Sequence, residues 1–248
     1  MSPDWRPLRA GFQPDVRAKG LSWRQQFRQP AADTGRDFDD KTPELAALEA
    51  KVRRLEARAP RGPDYDNALS NLYEAYLEAG GFLPEAAATA RKLLRLREKE
   101  LKASDPRITD AMIDLGTSLA RGKPWEEQGQ EEARRVLEQA LGRLSTLPKR
   151  LPASEFAVLS WMAYLEKRTA PELEILERMT AIAQSNIDEL GHDALKEHRL
   201  RVKDFRHSLS TRGEAFGNAS YKERALAAGR KAWLAHETFA IKEAGATC

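Results

Sequence analysis

The sequence predicts an all-α chain of stacked helical hairpins, and three observations carry that prediction. From residue 64 onward apolar side chains recur at spacings of three and four, the period of one helix face. Short breaks rich in Gly, Pro and Asp separate these runs, at Gly80-Gly81, Asp105-Pro106, Gly122 and Lys123-Pro124. The runs also repeat. Leu69-Ser70-Asn71-Leu72-Tyr73 aligns with Met112-Ile113-Asp114-Leu115-Gly116 at an offset of 43, and Glu85-Ala86 with Glu132-Ala133 at an offset of 47. One pair of helices cannot cover its own apolar face, so like pairs stack and each buries its neighbour.

Composition narrows the classes of function. The 248 residues are 32% charged, 41% hydrophobic and 7% aromatic, which suits thin helical layers better than a thick sheet core. Forty-one Lys and Arg against 38 Asp and Glu leave a net charge of +3, too balanced to imply nucleic acid by itself. No stretch approaches the ~18 consecutive apolar residues of a membrane span. The single cysteine, Cys248, forms no internal disulfide, which points to a reducing compartment. The expected setting is intracellular and soluble, the cytoplasm, with organelle import as the alternative.

Residues 1–41 read as an irregular basic and aromatic arm. Pro3, Pro7, Pro14 and Pro30, with Gly11, Gly20 and Gly35, break any long helix there. Arg6, Arg9, Arg17, Lys19, Arg24 and Arg28 face only Asp4 and Asp15 before the acids begin at Asp33. Trp5, Phe12, Trp23, Phe27 and Phe38 are more aromatic content than a plain flexible tail carries, so the arm is expected to dock on its own body or on a partner. No continuous apolar core of a secretory signal occurs in it.

Residues 42–60 form a short amphipathic helix, opened by Thr42-Pro43 and carrying Leu45, Leu48, Val52 and Leu55 on one seam. The repeat domain spans 64–244. Its first helix carries Leu69, Leu72, Tyr73 and Tyr76, and its second starts at Pro84-Glu85 with Ala86 and Ala90 small enough for close approach. Asp105-Pro106 caps the third, which carries Ile108, Met112, Leu115 and Leu119, and a fourth follows to about Leu147. Phe156, Leu159, Met162 and Leu165 mark the next helix. Thr169-Ala170-Pro171-Glu172 has the spacing of a capping box before Leu176, Met179, Ile182 and Ile187. The last pair holds Leu195, Val202, Phe205 and Leu209, then Ala225, Ala228, Ala232 and Trp233.

Glu85-Ala86, Ala90, Leu93-Leu94 and Leu96-Arg97-Glu98-Lys99-Glu100-Leu101 resemble the second helix of a tetratricopeptide repeat. The likeness is to the roughly 42-residue variety of kinesin light chains. Asp105-Pro106-Arg107-Ile108 resembles the His-Pro-Asp-Val connection of that variety, with Asp105 in the histidine's place. Met112, Leu115, Gly116 and Leu119 match the general repeat's first helix, and Tyr221 to Ala225 resembles the start of another second helix. The resemblance covers 64–244. It implies a right-handed α-α superhelix, a solenoid of about four hairpins whose first helices line a concave groove.

That groove places Asn67, Asn71, Asp110 and Asp114 against an extended segment, with acids favouring a basic or N–H-rich ligand. The family's paired asparagines are only half present: Ser70 stands in the first position, and Ile113 and Asp114 fill both in the next repeat. A second candidate surface is a basic stripe. Lys196, Arg199, Lys203 and Arg206 fall within roughly 80° on one helix. A third is aromatic, formed by Trp5, Trp23 and Phe27 in the arm and Trp125 in the long turn, residue types enriched at interface anchors.

Catalysis has no constellation behind it. His198 and His207 lie on opposite sides of one helix, and no His-x-x-x-His or Cys-x-x-Cys pairing occurs. The histidines are read as surface or partner-facing groups, and acids such as Glu131-Glu132 as a solvated face. No metal or cofactor is expected. The chain thus reads as a non-catalytic scaffold, an adaptor or complex subunit that binds other proteins through groove and arm. RNA or DNA bound by the 196–206 stripe is the alternative partner.

Overall fold

Thr42 opens the first described helix as its sequence indicates: the Leu45 amide donates to Thr42 Oγ1 at 3.2 Å, and Pro43 follows where no amide is needed. The computed structural model describes residues 42–58, 61–79, 83–122, 127–166, 169–208 and 219–246. The arm residues Trp5, Trp23 and Phe27, and Trp125 of the turn, lie outside them.

Among the described residues every element is helical. They are α1 Pro43–Arg58, α2 Pro63–Ala79, α3 Leu83–Glu100, α4 Pro106–Ala120, α5 Glu127–Thr146, α6 Pro152–Leu165, α7 Thr169–Ser185, α8 Ile187–Ser208 and α9 Ala219–Ala246. They form two compact units, divided between Pro148 and Lys149, so the boundary falls inside the 64–244 span, after its second helical pair.

In the N-terminal unit each helix packs chiefly on the next, α1 on α2, α2 on α3, α3 on α4 and α4 on α5. Leu45 and Val52 of α1 are buried, and Leu48 and Leu55 lie partly buried on the same cluster, which continues through Leu69, Leu72, Tyr73, Ala86, Ala90, Leu93 and Leu115. Full burial of one such leucine contributes about 1.5–3 kcal/mol. The alanines, fully buried at 86, 90, 133 and 140, keep the helices close. Gly116 does the same at one point: a Cβ there would meet the Leu137 side chain at 2.7 Å.

Side chains also tie alternate helices. Arg91 of α3 forms a two-pronged bond with Glu132 of α5, at 2.6 and 3.1 Å. Glu132 is therefore an inter-helix strut and not the solvated acid that its sequence suggests. Lys92 of α3 reaches Glu56 of α1 at 2.7 Å, and between adjacent helices Tyr76 of α2 donates to Glu49 of α1 at 2.7 Å.

In the C-terminal unit α6 packs on α7, and α9 packs on both α8 and α7. Phe156, Leu159, Leu165, Leu176, Met179, Leu195, Val202 and Phe205 are buried as their spacing predicts, whereas Met162, Ile182 and Ile187 are only partly so. Gly191, at φ 73° and ψ 170°, breaks α8 near its start, a backbone state that favours glycine. The alanines 225, 228 and 232 of α9 face inward. Trp233, expected to continue that face, is instead 52% exposed. It follows Ala232 by a turn of about 100°, which carries it out of the seam.

The histidines differ from expectation. His198 and His236 are buried, because their positions fall on the packed faces of α8 and α9. No helix among the described residues is long and apolar enough to cross a membrane.

Candidate functional site

The polar surface of α2 and α4 is organised by an arginine from α3. Arg97 ends the run Leu93, Leu94, Leu96 and lies almost out of water, between two helices that each offer it oxygen atoms. Its Nε donates to Asp66 Oδ2 at 2.8 Å and its Nη2 to Asp66 Oδ1 at 2.9 Å. Nη2 also reaches Ser70 Oγ at 3.1 Å, and Nη1 reaches the Arg107 carbonyl at 3.0 Å. Burial alone would weaken its charge; the Asp66 pair and the fields of Asp114 and Asp110 outweigh that and hold it protonated more firmly than usual.

Around this hub the predicted groove residues take distinct places. Asn67 and Asn71 are exposed on α2, on the side adjoining Asp66 and Ser70. Asp110 and Asp114, one turn apart on α4, are partly buried. The buried Tyr73 hydroxyl donates to the Asp114 carbonyl at 2.9 Å. Ser118 Oγ lies 2.9 Å from that carbonyl and 3.3 Å from the Tyr73 oxygen, so its one proton serves either. Burial pushes the Tyr73 phenol well up, so it remains a donor and pins α2 to α4 at any ordinary pH. Both asparagines and both aspartates thus belong to helix faces linked through Arg97 and Tyr73.

Asp110 stands apart from its neighbours. Among the described residues no hydrogen bond or ion pair holds its carboxylate, and burial pushes it up to about 6, with Arg97 pulling the other way and Asp105 adding to the rise. Asp105 and Arg107 satisfy one another, at 3.1 and 2.9 Å, while Asp105 also caps α4 through the Arg107 amide at 3.0 Å. The site therefore sets Asp66, Asp105, Asp110 and Asp114 against Arg97 and Arg107. It is acidic, with Asp110 its least satisfied member. Such a surface attracts a cation or a row of N–H donors. Arg97 is the residue that helical periodicity conceals; only its place next to the leucines hinted at burial.

The basic stripe is partly spoken for. Arg199 lies 3.5 Å from Glu237 of α9, and Arg206 packs against Gly229 of the same helix. Lys203 is exposed and Lys196 partly buried. The stripe runs along the seam between α8 and α9.

His198 Nε2 lies 2.8 Å from Thr180 Oγ1, whose own proton goes to the Leu176 carbonyl at 2.8 Å. This fits a neutral ring protonated on Nε2, and burial, with Arg201 nearby, pushes its pKa down to about 3. The ring is packing, set edge-on to Phe156 at 5.6 Å. No group of three or more His, Cys, Asp or Glu among the described residues is placed to hold a metal ion. Comparisons with protein-family models, curated proteins and solved structures find no match for this chain.

Proposed function

We propose that the chain is a non-catalytic interaction scaffold of tetratricopeptide-like hairpins, whose α2–α4 surface captures an extended, basic segment of a partner protein. The observation that carries this reading is Asp110: a partly buried carboxylate without a bonding partner among the described residues, beside the exposed amides of Asn67 and Asn71. A lysine or arginine from a ligand would give Asp110 its counter-charge, and the asparagine amides would pair with the ligand's backbone. Arg97 and Tyr73 hold this surface in one geometry before the ligand arrives, which lowers the ordering cost of binding. The aromatic arm, residues 1–41, adds a second hold on the same partner.

Selection from a random peptide-display library tests the reading. The full chain should enrich peptides rich in Lys and Arg, and Asn71→Ala with Asp114→Ala should abolish their capture. Enrichment of acidic or purely apolar peptides, or capture unchanged by the two substitutions, contradicts it. Nucleic acid remains the second reading, supported by the exposed Lys203 and Arg206. It requires a strongly salt-dependent affinity that charge reversal at 196, 199, 203 and 206 removes.

A further inference from the structure

Helix α9 is apolar on two opposite sides. Ala225, Ala228, Ala232, Ala235 and Phe239 are buried against its own unit. Leu226, Trp233, Leu234 and Ile241 point the other way and are 38%, 52%, 54% and 71% exposed. At 100° per residue these four fall within about 100° of one another, along roughly 22 Å of helix. A tryptophan flanked by three large aliphatics on an exposed helix face marks an interface.

The order of residues along this stripe says what covers it. Arg230, exposed, and Glu237, partly exposed, lie on the same arc as the four apolar residues. When two α9 helices run antiparallel about a two-fold axis centred between Trp233 and Leu234, Leu226 of one meets Ile241 of the other. In the same register Trp233 meets Leu234, and Arg230 meets Glu237. Both apolar and charged positions are thus self-complementary in a single register, the condition for an isologous contact. We infer that two copies of this chain associate through the outward face of α9 in that antiparallel register. A seam of this length buries less than the ~800 Å² per partner of a standard interface, so the dimer is weak and concentration-dependent. This association stands apart from the α2–α4 groove and does not depend on its ligand.

Sedimentation velocity of the full chain over a wide concentration range tests it. The wild type should pass from monomer to dimer. Arg230→Glu sets glutamates opposite one another and should raise the dissociation constant roughly tenfold or more. Glu237→Arg sets arginines together with the same effect, yet an equimolar mixture of the two variants should dimerise again, since every facing pair is then opposite in charge. Glu237 also neighbours Arg199 in its own chain. A circular dichroism melt therefore accompanies each variant, and the exposed Trp233→Lys supplies a disruption that leaves the fold's interior untouched. A wild type monomeric at every concentration overturns the proposal, as does a mixture that fails to rescue. A chain that dimerises only when residues 1–41 are deleted also overturns it, assigning the face to the arm.

Discussion

Asp110 holds its proton up to about pH 6, against an ordinary aspartate value of 3.8, because burial penalises the ionised form. The folded chain therefore binds that proton more tightly than the unfolded chain, and stability falls as pH rises from about 4 to 6. Above that window the ionised group costs roughly 1–3 kcal/mol. Carbon-detected NMR should find the Asp110 carboxyl titrating near pH 6. His198 acts in the opposite sense: its folded value of about 3 lies below 6.5, so the unfolded state takes the proton first as pH falls. Its contribution is lost at up to ~1.4 kcal/mol per unit below pH 6.5. Between pH 7 and pH 5 the Asp110 slope works against it, so the test is a difference: in urea melts the wild type should lose more stability, or gain less, over that interval than His198→Gln does. Gly116→Ala, which forces a methyl into Leu137, should destabilise by about 1–3 kcal/mol by the same measurement.

At the scale of helices, capping and bridging decide where elements begin and how they lock. Asp105 serves both, so Asp105→Ala should cost about 1–2 kcal/mol in thermal unfolding, more than removing an ordinary cap. Helix starts such as Thr42-Pro43 and Asp105-Pro106 were legible in the sequence because a cap is made by residues two or three positions apart. The buried seams were legible for a related reason, since Leu69, Leu72 and Tyr73 share a face by helical period alone. What was not legible depends on remote partners. Arg97 sits in a run of charged residues, and only Asp66, 31 residues earlier, reveals why it is buried. The strut from Arg91 to Glu132 spans 41 residues and was hidden likewise. His198 and His236 fall on the buried faces by helical period, although their polarity points to the surface. The Asn67, Asn71, Asp110 and Asp114 set was legible as a face. The lack of a bonding partner for Asp110 among the described residues was not.

For the molecule as a whole, stability and the proposed binding would oppose one another at one residue, Asp110. On the proposed function, a carboxylate without a bonding partner among the described residues weakens the fold, and a basic ligand would offset that cost. The most direct measurement takes a Lys- or Arg-bearing peptide selected by the wild type and pairs a melting curve with a calorimetric titration for Asp110→Asn. The account predicts a higher melting temperature together with a loss of affinity of tenfold or more. A variant that binds the peptide as tightly as the wild type, or that melts at a lower temperature, contradicts it.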